Sequence, residues 1–464
     1  MDNPPRLQEQ FGYAYDKAWN LNERTNNALV QSFAVNNVNE LSSASHTGTL
    51  TVSGTATEPS GNSPYNNYPG VTSATVNGNS ADVYGDGTFA LGGFTPTNGQ
   101  NTYTAIAEDN VSRFSTNSVT VNVLGSRSYL YDLNGNLTND GVRNFAYDDE
   151  NQLVSLWVSN AWSNSFAYDG LQRKRIEQEF SWNGSGWAMT NEVFYIYDGN
   201  LVLQERDTNF EPVTTYTRGI DVSGTLDGAG GIGGLLARSD NQKNVPAILD
   251  PATPNPQNLV NSYYFNDVNG NVVALVSPSG MFLAQYEYDP FGNLISKSGP
   301  MADINKYRFS SKEWDDNEHL YYYGYRFYEP NLQRWLNRDP LADEGRLARF
   351  DSGSPLYTFV DNSALDEYDP LGELPPSNPM CQALAQKIGN IEKDIQKRIR
   401  ELHEDPQGLP GKTPNDKKKP SESRRGHQIM INMDKANLAK KRLFIRLTVL
   451  ILNLSPSNHF TLPR

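Results

Sequence analysis

One short pattern recurs along the chain: an aromatic residue, a spacer, a tyrosine and an aspartate, closed a few residues later by asparagine and leucine. It reads Tyr13-Ala14-Tyr15-Asp16 with Asn20-Leu21, Tyr129-Leu130-Tyr131-Asp132 with Asn136-Leu137, Phe145-Ala146-Tyr147-Asp148 with Asn151 and Leu153, and Tyr286-Glu287-Tyr288-Asp289 with Asn293-Leu294. Phe166-Ala167-Tyr168-Asp169 and Tyr195-Ile196-Tyr197-Asp198 keep the first half, and Tyr264-Phe265-Asn266-Asp267 is a looser copy. Period-two alternation sets both rings on one face of a strand, the Asp with its following Gly or Asn makes an Asx-type turn, and the next strand opens at Leu. Each unit therefore predicts strand, turn, strand. Copies at Tyr131, Tyr147, Tyr168 and Tyr197 lie 16, 21 and 29 residues apart, one hairpin each. A single hairpin cannot bury an aromatic face alone, so neighbouring units must join into a continuous sheet.

The pattern changes between Thr49 and Leu124. Alternating Thr/Ser/Val segments at 49–54, 73–78, 81–91, 101–109 and 117–123, with Gly85-Asp86-Gly87 as a hairpin turn, predict strands at sandwich spacing. This stretch resembles the Ig-like modules inserted in bacterial surface and secreted proteins, here without a Cys pair. Residues 237–260, with Pro246, Pro251, Pro254 and Pro256, read as a surface loop, and Pro375, Pro376 and Pro379 break the chain again. Beyond them Leu384, Ile388, Ile391, Ile395, Ile399 and Leu402 keep helical spacing, followed by a loose basic stretch from Glu404 to Arg425.

Charge separates the same tail. Residues 374–464 hold 17 Lys+Arg against 8 Asp+Glu, a net +9, whereas residues 1–373 hold 22 against 45, a net −23. The expected organisation is a first hairpin at 1–46, the Ig-like insert at 47–125, repeats at 126–306, a distinct segment at 307–373 and a basic, partly helical tail at 374–464. Aromatic content of 11 % with 25 Tyr argues for a folded chain, mainly β. The lone Cys381 forms no internal disulfide, and the start MDNPPRLQEQFG lacks the basic and apolar regions of a Sec signal peptide. The longest apolar run, Leu443–Leu454, is 12 residues and includes Arg446, short of the ~20 a bilayer span needs. Export by a non-Sec route or within a longer precursor is the expectation.

Residues 307–373 carry the densest signal: YRFSSKEWDDNEHLYYYGYRFYEPNLQRWLNRDP, and at the end YDPLGE. This segment closely resembles the Rhs repeat-associated core domain, with its YRFxGxExD, LYYxxARYYDP, GRFxxxDP and closing DPxGL stretches. The upstream copies resemble the YD repeats of the same family. That family includes the C components of insecticidal toxin complexes and polymorphic toxins. The resemblance implies a hollow β-shell of YD repeats around a C-terminal toxin, closed at one end by the core domain. It also implies aspartyl self-cleavage near the closing motif. Teneurins carry a similar shell for adhesion, so the shell alone does not imply cleavage. By resemblance the catalytic residues are Arg326, Asp339 and Asp369, and the cut falls in the region of Gly372, Glu373 and Leu374. Glu373 stands where the family commonly has Leu. The chemistry of the residue types agrees: of two close carboxylates one keeps a proton as acid while the other activates water, with an Arg tuning the pair. The alternative is that Arg326 pairs with a shell carboxylate and the Asp-Pro units only start turns.

With about seven copies the chain is expected to form an open sheet or part of a longer product. Its implied partners are its own tail as enclosed cargo, an immunity protein or a target-cell surface. Nucleic acid enters only if the tail, with His403, His427, His459, Arg424, Arg425 and Lys417–Lys419, is a nuclease. A non-catalytic adhesion or carbohydrate-binding module is the competing class. No cofactor or metal is expected. Gly228–Gly233 spells GxGxxG without a βαβ setting and reads as a flexible shell loop. Asp132–Asn136 and Asp267–Asn271 have calcium-loop oxygen spacing without a twelfth-position Glu and read as turns. The tyrosines at 321–323, with Tyr325 and Tyr328, read as core packing before sugar stacking.

Overall fold

The computed structural model describes residues 6–56, 71–85, 87–109, 112–241, 259–340 and 356–373. Leu374, the expected tail helix and the tail histidines lie outside the described residues. Among the described residues strands make up almost all the regular structure, with two single 3-10 turns, as the alternating pattern predicts. Among the described residues no helix is long and apolar enough to cross a membrane.

Fourteen strands from Leu130–Tyr131 to Leu294–Ser298 form one antiparallel sheet in unbroken sequence order, each paired with the next. The repeat chemistry explains this order. In four units the aspartate accepts two backbone N–H bonds and an asparagine amide. Asp132 takes the N–H groups of Asn134 and Asn136 at 2.9 Å each and Asn136 Nδ2 at 2.8 Å. Asp16, Asp267 and Asp289 do the same with Asn20, Asn271 and Asn293. The asparagine thus points its amide donor at the carboxylate, which makes the two calcium-like stretches turns. The strand register shifts just before the motif tyrosine in Ala14/Tyr15, Ala146/Tyr147, Ala167/Tyr168, Ile196/Tyr197 and Glu287/Tyr288. Such a bulge re-aims the tyrosine. Its hydroxyl then reaches the carbonyl that opens an earlier strand: Tyr168 to Leu153 at 2.6 Å, Tyr197 to Lys174 at 2.7 Å, Tyr288 to Val272 at 2.8 Å.

Residues 11–48 hold more than the single hairpin expected at 1–46. Phe11–Tyr15, Leu21–Asn26, Leu29–Val35 and Leu41–Gly48 form a four-strand run that Ser126–Ser128 joins at the edge. Asn36 takes the place of the aspartate in its third turn, accepting from Val38 and Glu40 N–H at 3.0 Å. The insert forms six antiparallel strands, Leu50–Thr55 to Phe114–Val123. Asn79–Val83 pairs on both sides, so the strands make one hydrogen-bonded sheet. Phe94 and Tyr103 lie three strands apart in that sheet, yet their rings approach to 5.1 Å. At about 4.8 Å per strand, that contact requires the sheet to fold over on itself.

Residues 307–340 build a four-strand sheet whose contacts run along the large sheet from end to end. Leu137 N–H donates to Leu336 O at 3.0 Å, Lys174 bonds Glu313 at 3.1 Å, and Tyr321 donates to Gly292 O at 3.1 Å. Tyr321, Tyr323, Tyr328, Trp335 and Phe359 form one buried cluster, with Phe359 stacked on Tyr328 at 4.0 Å. The tyrosine run is therefore core packing, worth roughly 1 kcal/mol per aromatic pair beyond area burial.

Candidate functional site

The three residues singled out sit outside the regular elements. Gly324, at φ +109°, turns the chain and delivers Arg326 just before the strand Phe327–Glu329. Asp339 follows the strand Arg334–Trp335, and its N–H donates to Leu356 O at 3.2 Å. Asp369 opens a final turn. The fold brings them together: Arg326 Nη2 lies 3.1 Å from Asp339 Oδ2 and 3.5 Å from Asp369 Oδ2. All three side chains are at most 1 % exposed. The guanidinium also lies 4.1 Å from the Trp335 ring centre, which fixes its plane.

Both carboxylates meet the same Arg326 nitrogen in a site closed to solvent. Burial pushes Asp369 up to about 7, the Arg326 charge works against that rise and Asp339 adds to it. Asp369 is thus a carboxylic acid near neutral pH, a state fit for proton donation.

The closing turn presents one peptide unit to this acid. Asp369 Oδ1 accepts the N–H groups of Leu371, Gly372 and Glu373 at 3.2, 2.8 and 2.9 Å. The carbonyl of Gly372 accepts from Arg326 Nε. The Gly372–Glu373 peptide is therefore held at its oxygen by the arginine and at its nitrogen by the aspartate. Gly372 adopts φ +77°, and a Cβ there would press on Arg326 and Tyr323.

Two contributors escape the sequence reading. Lys312, inside the YRFSSKE stretch, donates from Nζ to Pro370 O at 2.6 Å and to Gly230 O at 3.0 Å. Gly230 belongs to the glycine run read as a flexible shell loop. That run is packed instead: Ala229 and Ile232 are fully buried, and Asp221 Oδ2 accepts the N–H groups of Ala229 and Gly231 at 2.7 and 3.2 Å. Its glycines serve close approach rather than mobility. A Cβ on Gly230, at φ +60°, would overlap the Pro370 carbonyl oxygen. Gly230→Ala is therefore expected to lower stability by about 1–3 kcal/mol, measured by thermal unfolding. An unchanged unfolding midpoint would show that the closing turn does not bear on this loop.

Among the described residues, Glu177, Asp315 and Glu318 place carboxylate oxygens within 4.8 Å of one another. Lys174 already donates to Glu177 at 2.8 Å, so a cation is built into that cluster.

No family model matches the chain. The tRNA3(Ser)-specific nuclease WapA of Bacillus spizizenii is 27 % identical over 252 residues, 54 % of this chain and 9 % of the relative. Toxin subunit YenC1 of Yersinia entomophaga is 33 % identical over 116 residues, 24 % of this chain and 11 % of the relative. The chain spans about a tenth of the length of both. Among solved structures, the Photorhabdus luminescens Tc holotoxin pore superimposes with a TM-score of 0.42 and 16 % identity, over 80 % of this chain and 17 % of that one.

Proposed function

We propose, for a chain that is an Rhs/YD-repeat protein of toxin-complex type, that it encloses and presents its variable C-terminal segment and frees it by aspartyl self-cleavage after the DPLG motif. The observation that carries this reading is the Gly372–Glu373 peptide, bound at its carbonyl by Arg326 and at its N–H by Asp369. In the step proposed, Asp339 takes a proton from water and the water oxygen bonds to the Gly372 carbonyl carbon. Asp369 gives its proton to the carbonyl oxygen, forming a neutral gem-diol. Collapse breaks the C–N bond, and the departing Glu373 nitrogen takes up a proton through the same dyad. The products are a Gly372 carboxyl and a Glu373 amine, so atoms and protons balance. Arg326 compensates charge on the dyad and polarises the carbonyl.

The released tail would be the cargo. An immunity protein or a target-cell surface would be its further partner, and nucleic acid only through the tail's own chemistry. Export by a non-Sec route or within a longer precursor fits this role, as does an Ig-like role for the insert at the surface. One observation favours the competing, non-catalytic reading: Asp369 makes the same kind of turn as Asp132 and Asp289, which belong to the repeats. What sets Asp369 apart is burial beside Asp339 and Arg326, which holds its acid form.

pH separates the two. Because Asp369 is held up to about 7, its acid form is present below that pH and lost above it. Release of the tail, followed by gel after translation of the full chain, should fall roughly tenfold per pH unit above about 7. A rate that stays level through pH 9 contradicts Asp369 as the acid.

A further inference from the structure

We propose that Lys312 is a positioning residue for this self-cleavage, pinning the Asp369–Pro370–Leu371 turn to Gly230 of the shell so that the Gly372–Glu373 peptide sits between Arg326 and Asp369. The inference rests on the self-cleavage reading above and deepens it.

Three consecutive carbonyls of the closing turn are each held by a donor. Pro370 O takes Lys312 Nζ at 2.6 Å, Leu371 O takes Tyr325 N–H at 2.9 Å, and Gly372 O takes Arg326 Nε. The middle tether is backbone and the last belongs to the dyad's arginine, so among the described residues Lys312 is the side chain outside the trio that donates to these carbonyls. Its other bond, to Gly230 O at 3.0 Å, ties the turn to a different part of the fold.

The chemistry of Lys312 is unusual for a residue that only supports structure. It is buried, and among the described residues no carboxylate lies within ion-pair distance of it. Lys174 and Lys306, by contrast, each meet glutamates. Burying an ammonium without a carboxylate is costly, and burial brings its pKa down to about 7. The charged groups that face it are Asp369 on the turn, which raises that value, and Arg218 and Asp221 on the shell, which lower and raise it. The Tyr323 ring lies 5.1 Å below Nζ. Lys312 also borders a cavity of about 60 Å³, lined with it by Arg218, Gly230, Tyr323, Gly324 and Leu371. That is room for several waters, each needing ~10–15 Å³. Lys312 thus lines a cavity large enough for water, whereas the side chains of the trio are closed to solvent.

A cation beside Asp369 favours its ionised form. Removing the cation should therefore raise the pH at which Asp369 loses its proton, as well as loosen the turn. The test is Lys312→Met and Lys312→Gln in the full chain, translated in vitro and followed by gel from pH 5 to 9, with thermal unfolding of the uncleaved species as the folding control. Expected are release slowed by roughly ten- to a hundredfold in K312M, partial recovery in K312Q, which keeps a donor, and an alkaline midpoint moved upward in both. Slower release with an unmoved midpoint overturns the proposal, as does an unchanged rate. Failure of both variants to fold makes Lys312 a structural residue and equally overturns it. A wild type that never cleaves overturns this inference together with the self-cleavage reading, whereas a wild type that cleaves beside unaffected Lys312 variants overturns this inference alone.

Discussion

Asp369→Asn is expected to leave the chain whole, slowing tail release by about 10²–10⁴-fold, the usual contribution of a positioned acid or base. Asn keeps an oxygen where Asp369 Oδ1 accepts three backbone N–H groups at 2.8 to 3.2 Å, so the closing turn should survive. What disappears is the proton that a carboxylic acid held near 7 supplies. Asp339→Asn removes the partner on the same arginine nitrogen and should stop release as completely. The double variant should be no slower than either single one, because the two act as a unit. Gel and intact mass of the purified variants check this; release by D369N at the wild-type rate would end the dyad account.

Arg326→Met should have the largest effect on the fold. The arginine is the cation for two buried carboxylates and donates in addition to the carbonyls of Gly372 and Leu356. Removing it leaves Asp339 and Asp369 together in a dry site, where breaking one buried pair already costs about 3–5 kcal/mol. Part of that cost is relieved by protonation of Asp369, so the loss should be smaller at low pH and larger above about 7, where the wild-type acid ionises. Denaturant unfolding of R326M against D369N at pH 5.5 and 8 measures it. Equal loss at both pH values would mean that packing on Trp335, rather than charge, is what Arg326 supplies.

The repeat was legible because its chemistry is local. Aromatic-x-Tyr-Asp states both the buried face and the turn, and the turns at Asp16, Asp132, Asp148, Asp267 and Asp289 form as that reading requires. Where the same turn is built on other letters it went unseen. Asn36 does the work of the aspartate after Phe33-Ala34-Val35, and Asp207 turns the chain with Asn209 and Glu211 after a strand that lacks the aromatic pair. In both turns the Asx oxygen accepts the N–H groups of the second and fourth following residues, a bond pattern that does not need the tyrosine.

The convergence of Arg326, Asp339 and Asp369 was expected from resemblance, since nothing in their 13- and 30-residue spacing places them in one site. Lys312 and Gly230 were not legible, for a physical reason. Their roles arise from contacts between a lysine and two backbone carbonyls 82 and 58 residues away, and no side-chain pattern encodes a carbonyl. The glycine run misled because φ > 0 and close approach use the same residue as flexibility does; here Pro370 fills the space a side chain would need.

The most direct test of the central claim is intact mass spectrometry of the wild-type chain, translated and held at pH 6 in water enriched in heavy oxygen. The account predicts loss of the 51.7 kDa species. It also predicts a fragment of roughly 10 kDa, at ~110 Da per residue, beginning at Glu373, and a partner ending at Gly372 that carries one heavy oxygen in its new carboxyl. A chain that stays whole, or that breaks at Asp339–Pro340 instead, would contradict it.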